Sequence, residues 1–91
     1  MQELKPTNGQ KSFYGKAKIY TDAYGNTFLK SYDTIVAFVT TKGEFKRLWD
    51  AWSVTTAKHI NAFRSLFGLD AINKKEWMQL DVVKTATRVA A

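Results

Sequence analysis

Tyr14, Lys16, Lys18 and Tyr20 occupy alternate positions of one short stretch. Side chains two residues apart on an extended chain point the same way. As a strand, this segment therefore puts two aromatic rings and two ammonium groups on one side. Bases stack on rings and phosphates meet cations, so the combination suits nucleic acid, single strands by preference. Lys30 and Lys46 extend the set if their strands pair in register. The plainer alternative is a solvated strand face, or tyrosine rings packed beneath helices.

Catalytic equipment is scarce. A nucleophile needs an activating base within reach, and the one imidazole in the 91 residues is His59. Ser53 and Asp50 lie near it in sequence. Ser53, however, reads as a helix cap, and His59, beside the core position Ile60, as a boundary residue bonded to a neighbour. The acidic residues are scattered and nominate no carboxylate pair. With no cysteine there is no disulfide, no thiolate ligand and no thiol nucleophile. One histidine alone cannot supply a structural zinc set. Neither a calcium-binding loop nor a glycine-rich phosphate loop is present. The expectation is a non-enzymatic protein with no catalytic residue, no cofactor and no metal.

The net charge of +6 favours anionic partners and argues against an acidic nucleic-acid mimic. Hydrophobic residues make up 45% of the chain, enough for one folded core. The longest apolar run, Ile35 to Val39, is strand-sized and far short of a membrane span. The polar start at Met1–Pro6 lacks the apolar centre of a signal peptide. No membrane association is expected, and a cytoplasmic setting fits the absence of cysteine.

The positioning elements follow from periodicity. Residues 12–21 alternate, with Phe13, Ala17 and Ile19 on the side opposite the Tyr/Lys set, which predicts a half-buried strand. Gly25-Asn26 suits a tight hairpin turn. Residues 27–41 form either two strands or one long bent strand, the segment Thr34–Thr41 being rich in β-branched residues. Lys42-Gly43 makes another turn, and Glu44–Trp49 alternates again. After Trp52 the period changes. Thr56, Ile60, Phe63 and Phe67 share one helical stripe, with Ser53, Thr55 or Thr56 as cap and Gly68 as stop. Asn73 and Glu76 have capping-box spacing for a second helix through Trp77 and Leu80, with helical spacing continuing to Val89.

Strands followed by helices predict an α+β fold: a three- or four-stranded antiparallel meander, then two helices packed on one face. Residues 1–11 are read as a flexible arm, 12–82 as one domain, and 83–91 as a frayed tail. The expected core is Phe13, Ile19, Phe28, Ile35, Ala37, Val39, Phe45, Ile60, Phe63, Phe67 and Trp77. The opposite sheet face is then open to water or a ligand. That face, or an edge strand, could also pair two copies as a homodimer.

Two other binding modes compete with the strand face. The helices meet through Gly68–Ile72, and Lys74-Lys75 open the second, in the manner of a DNA-reading helix pair. The linking turn is longer than such a motif uses. Trp49, Trp52 and Trp77 could anchor a protein partner, or form the core between sheet and helices.

Tyr14-Gly15-Lys16-Ala17-Lys18, Ser31-Tyr32-Asp33-Thr34-Ile35-Val36-Ala37, Trp52-Ser53 with Thr55-Thr56, His59-Ile60-Asn61 with Phe63, and Lys75-Glu76-Trp77 occur in that order. The string resembles an uncharacterised family of small proteins from phages and mobile elements of bacteria. Its motifs read Ser-Tyr-x-Thr-Ile-Val-Ala and Trp-Ser-x-Thr-Thr-x-x-His-Ile-Asn-x-Phe. The likeness runs over residues 14–77, and the stretch from Phe38 to Leu48 takes no part in it. The resemblance implies a mobile-element accessory protein acting inside a bacterium: a nucleic-acid-binding protein, or a module that inhibits or adapts a host protein. It carries no catalytic residue.

Overall fold

A computed structural model describes residues 2–4, 13 and 15–83. The chain runs through strands β1 (Gln2–Glu3), β2 (Ala17–Thr21), β3 (Thr27–Ser31), β4 (Thr34–Val39) and β5 (Phe45–Arg47). Helices α1 (Val54–Leu66) and α2 (Lys74–Gln79) follow. The fold is α+β, as composition and period predict. The sheet is an antiparallel meander of five strands in sequence order, rather than three or four.

The additional strand comes from the segment expected to be a loose arm. Gln2 pairs with Ile19 and Glu3 with Lys18, while Leu4, 1% exposed, sits in the core. Burying a leucine side chain is worth about 2 kcal/mol, which offsets the ordering of these residues. The rest of the proposed arm, residues 5–11, lies outside the described residues.

Turn chemistry sets the register. Between β2 and β3, the Asp22 carboxylate accepts from the backbone N–H of Tyr24 and of Asn26, each at 2.9 Å. Gly25 there has φ +87°, a conformation costly for any residue with a Cβ. Between β3 and β4 the chain reverses at Tyr32-Asp33, so residues 27–39 are two strands. Tyr32 carries φ +55° without being glycine, and its N–H donates to the Lys16 carbonyl at 2.7 Å. Leu29 pairs with Ala37 while Lys30 pairs with Ile35, so β4 carries one extra residue, Val36, at a bulge. The buried Val36 turns its carbonyl to the N–H groups of Leu48 and Trp49.

One face of the sheet carries the core. Ala17, Leu29, Ala37 and Val39 lie beneath Ile60 and Phe63 of α1 and Trp77 of α2, with Phe45 packed against them. The Trp77 indole N–H donates to the Ala51 carbonyl at 2.7 Å, meeting the need of a buried ring nitrogen. Ser53 caps α1, accepting from Thr56 N–H. Asn73 and Glu76 form the reciprocal capping box of α2. The α1–α2 loop is clamped by Asn61, whose amide bonds both the N–H and the carbonyl of Ile72.

Three expectations are corrected. Phe67 is not core: it caps α1 and is 39% exposed, because the stripe overruns the helix by one residue before Gly68 turns the chain. The second helix does not continue past Gln79. Leu80 is extended, and Val82 bridges Arg47 in parallel while Val83 N–H donates to the Arg47 carbonyl. Backbone bonding to β5 replaces helix at the β-branched pair Val82-Val83. Ile19 and Ile35 are only partly buried. The tail beyond residue 83 lies outside the described residues.

Candidate nucleic-acid interface

Strand pairing decides which cations share a face. In the β2–β3 ladder Lys18 stands directly opposite Lys30, and Tyr20 opposite Phe28. Phe28 is in turn opposite Phe38, and Phe38 opposite Lys46. These residues alternate with Ala17, Leu29, Ala37 and Phe45, which face the helices. They therefore occupy the other face, which carries no helix among the described residues. Lys18, Tyr20, Lys30 and Lys46, nominated from sequence and carried by three strands, are brought onto one surface. Lys18 is exposed; Tyr20, Lys30 and Lys46 are half-buried.

The remaining two nominated residues do not join them. Tyr14 lies outside the described residues. Lys16 precedes β2, and its ammonium stands 5.4 Å from the ring centre of Tyr32 in the β3–β4 turn. It marks the end of the sheet, not the middle of its face.

The face also holds two rings outside the nominated set, Phe28 and Phe38. Phe28 and Phe38 stack with centroids 5.1 Å apart, and Tyr20 stacks on Phe28 at 5.0 Å with an interplanar angle of only 11°. Adjacent strands lie about 4.8 Å apart, so this row is one ring per strand, each laid against the next. Phe28, one of the residues expected in the core, is buried at 4% exposure and lies on the face away from α1 and α2. Its alternation with Leu29 carried that information.

Electrostatics follow the geometry. Burial, with a contribution from Asp22, raises the Tyr20 phenol above its ordinary value, so it stays neutral at physiological pH. Lys46 Nζ lies 3.7 Å from Glu44 Oε1, a surface pair that salt readily screens. Glu3 stands across from Lys18 at the β1 margin and sets an anionic border there.

The other chemically suggestive group is a closed polar cluster on the helix side. His59 Nδ1 is 2.7 Å from the Ser31 hydroxyl oxygen, which lies 3.0 Å from the Thr56 hydroxyl oxygen. Ser31, Thr56 and His59 are 2%, 4% and 1% exposed. The partner of His59 is thus a strand residue distant in sequence, not Ser53, which caps α1, or Asp50, which is exposed. Phe13 meets the imidazole edge-on at 4.6 Å. Burial lowers the His59 pKa below its ordinary value. Among the described residues, no group of three or more His, Asp or Glu could hold a metal ion. No helix among them is long and apolar enough to cross a membrane.

The other sequence-derived surfaces take structural roles. Trp77 is fully buried, and Trp49 and Trp52 pack against the core. Helix α2 has six residues, with Trp77 turned inward, which leaves little of it to enter a DNA groove.

Sheet and helices together define a small α+β domain with a helix-covered core on one face and a cationic, aromatic row on the other. The chain belongs to DUF8033, a family of unknown function, whose model matches residues 2–79. No curated protein and no solved structure matches it.

Proposed function

We propose that this protein is a non-enzymatic accessory protein that binds nucleic acid through the face of its sheet that points away from α1 and α2. The observation that carries the reading is the register. It gathers Lys18, Lys30 and Lys46 around the Tyr20–Phe28–Phe38 row in a chain of net charge +6. Cations on one surface neutralise phosphates and release counterions, which supplies affinity without any reaction. Catalysis is disfavoured because, among the described residues, the hydroxyl beside the one imidazole, Ser31 with His59, is sealed from substrate. The resemblance to phage and mobile-element proteins supports a setting in the cytoplasm of a bacterial host. The test is fluorescence-anisotropy binding to short single- and double-stranded DNA and RNA at low and physiological salt. Binding that weakens steeply with salt supports the reading. Absence of binding at low salt refutes it.

A second reading, a module that inhibits or adapts a host protein, rests on the apolar side chains Leu66 and Phe67. They are 55% and 39% exposed at the end of α1. A complex drawn from host lysate that survives nuclease treatment, and is lost in a Leu66→Lys variant, would favour it.

A further inference from the structure

Resting on the nucleic-acid reading above, we infer that this face recognises the phosphodiester backbone and offers a single stacking position, Tyr20, instead of a platform for successive bases. Single-strand platforms present ring faces to the solvent so that each ring receives a base. Here the faces are spent on one another. Phe28 lies between Tyr20 at 5.0 Å and Phe38 at 5.1 Å, with interplanar angles of 11° and 25°. Both phenylalanines are 4% exposed. A base could reach Phe28 only by prising apart two stacked rings, which costs what the new stack would return. Phe38 has Phe28 on one side and is opposite Lys46 on β5 on the other. Among the described residues Tyr20 ends the row of rings, half-buried, with Phe28 stacked on one of its faces.

The lysines match this division. Lys18 and Lys30 are directly paired across β2 and β3, two residues along each strand from the Tyr20–Phe28 pair and on the same face. Lys46 stands beyond the far end of the ring row, opposite Phe38. Cations thus flank the closed stack on two sides, where a phosphate chain crossing the strands would meet them. An ammonium on a flexible stem contacts phosphate as a point charge and reads no base. The ligand class is a nucleic-acid strand taken without base preference, bound through phosphates and by one stacked base.

The test compares a short oligothymidylate with an abasic strand of the same backbone length, by anisotropy with the whole chain at low salt. One lost stack lowers affinity by no more than about a hundredfold, whereas three lost stacks multiply to far more. A loss for the abasic strand within about a hundredfold supports the inference, and a greater loss overturns it. A Tyr20→Leu variant, which keeps an apolar cover over Phe28, should remove the difference between the two strands. A difference that persists in this variant places the stack elsewhere and also overturns the inference. If neither strand binds the unaltered protein, the nucleic-acid reading itself fails, an outcome distinct from both of these.

Discussion

The Ser31 hydroxyl and the His59 ring nitrogen Nδ1 are 2.7 Å apart, joining the end of β3 to the middle of α1 inside the core. The pair is sealed, with both residues at most 2% exposed, so its consequence is stability rather than catalysis. Burial lowers the His59 pKa below the unfolded value of 6.5. The folded state therefore resists protonation while the unfolded chain accepts the proton. The unfolded state then binds more protons, and stability rises with pH. His59 contributes fully above about pH 6.5, and its contribution falls as pH drops below that value towards the folded pKa. Urea titrations at about pH 7.5 and pH 5 should show a lower midpoint in acid. His59→Gln, which cannot ionise, should remove much of that difference. An unchanged difference would assign the acid sensitivity to other groups.

Removing the other half of the pair tests the cluster as packing. Ser31→Ala takes the partner from both His59 Nδ1 and the Thr56 hydroxyl, both buried. Leaving a buried polar group without its partner costs about 1–3 kcal/mol. A denaturant midpoint unchanged by Ser31→Ala would show that the bonds contribute nothing net.

Arg47 fastens the segment that follows α2 to the sheet. Its guanidinium, 5% exposed as a residue, donates from Nε to the Trp49 carbonyl and from Nη1 to the Leu80 carbonyl, each at 2.9 Å. It also stands 5.2 Å from the Trp77 ring centre. A lysine ammonium cannot reproduce that planar fork. Arg47→Lys should therefore cost about 2 kcal/mol, since hydrogen bonds from charged donors are worth roughly 1.5–3 kcal/mol each. Hydrogen exchange should show the amides of Leu80 and Val83 losing protection first. Uniform loss across the domain would mean that Arg47 holds no local latch.

How much was legible in the sequence depends on where each signal lives. The capping box at Asn73 and Glu76 is local chemistry, and both bonds formed as their spacing predicts. The alternation of Lys18, Lys30 and Lys46 is local too, and pairing then put them on one face. Strand β1 was illegible because Gln2-Glu3 has no β propensity of its own and is held by β2 and by burial of Leu4. Whether residues 27–41 form two strands or one bent strand stayed open because the reversal uses a tyrosine at positive φ where glycine is usual. The Ser31–His59 contact spans 28 residues and exists only through tertiary packing. Arg47 reads as a surface cation until Val82 and Val83 cover its strand edge.

Gly25 is constrained twice. Its φ of +87° disfavours any L side chain, and a Cβ there would stand 2.6 Å from Thr41 Cγ2. Gly25→Ala should destabilise by more than about 1 kcal/mol, since left-handed backbone alone costs a non-glycine residue that much. Thr41→Ser deletes the clashing methyl. The double variant should therefore recover part of the loss but not all of it. Full recovery in thermal melts would show that the backbone strain is negligible.

The last prediction separates the sheet face from charge in general. Lys16 and Lys18 are two residues apart and carry the same charge, so a purely global electrostatic attraction treats them alike. Their positions differ: Lys18 is paired with Lys30 on the face away from α1 and α2, while Lys16 leans over Tyr32 at the sheet end. If phosphates lie on the face, neutralising Lys18 or Lys30 removes a direct contact. Each Lys→Gln change there should flatten the plot of log affinity against log salt by about 0.7 for a single strand. Lys16→Gln should lower affinity less and leave that slope nearly unchanged. Lys18→Glu with Lys30→Glu should abolish binding at physiological salt while the thermal midpoint holds, because these side chains lie outside the core. Equal slopes for Lys16→Gln and Lys18→Gln would mean that attraction follows net charge and that the face has no special role.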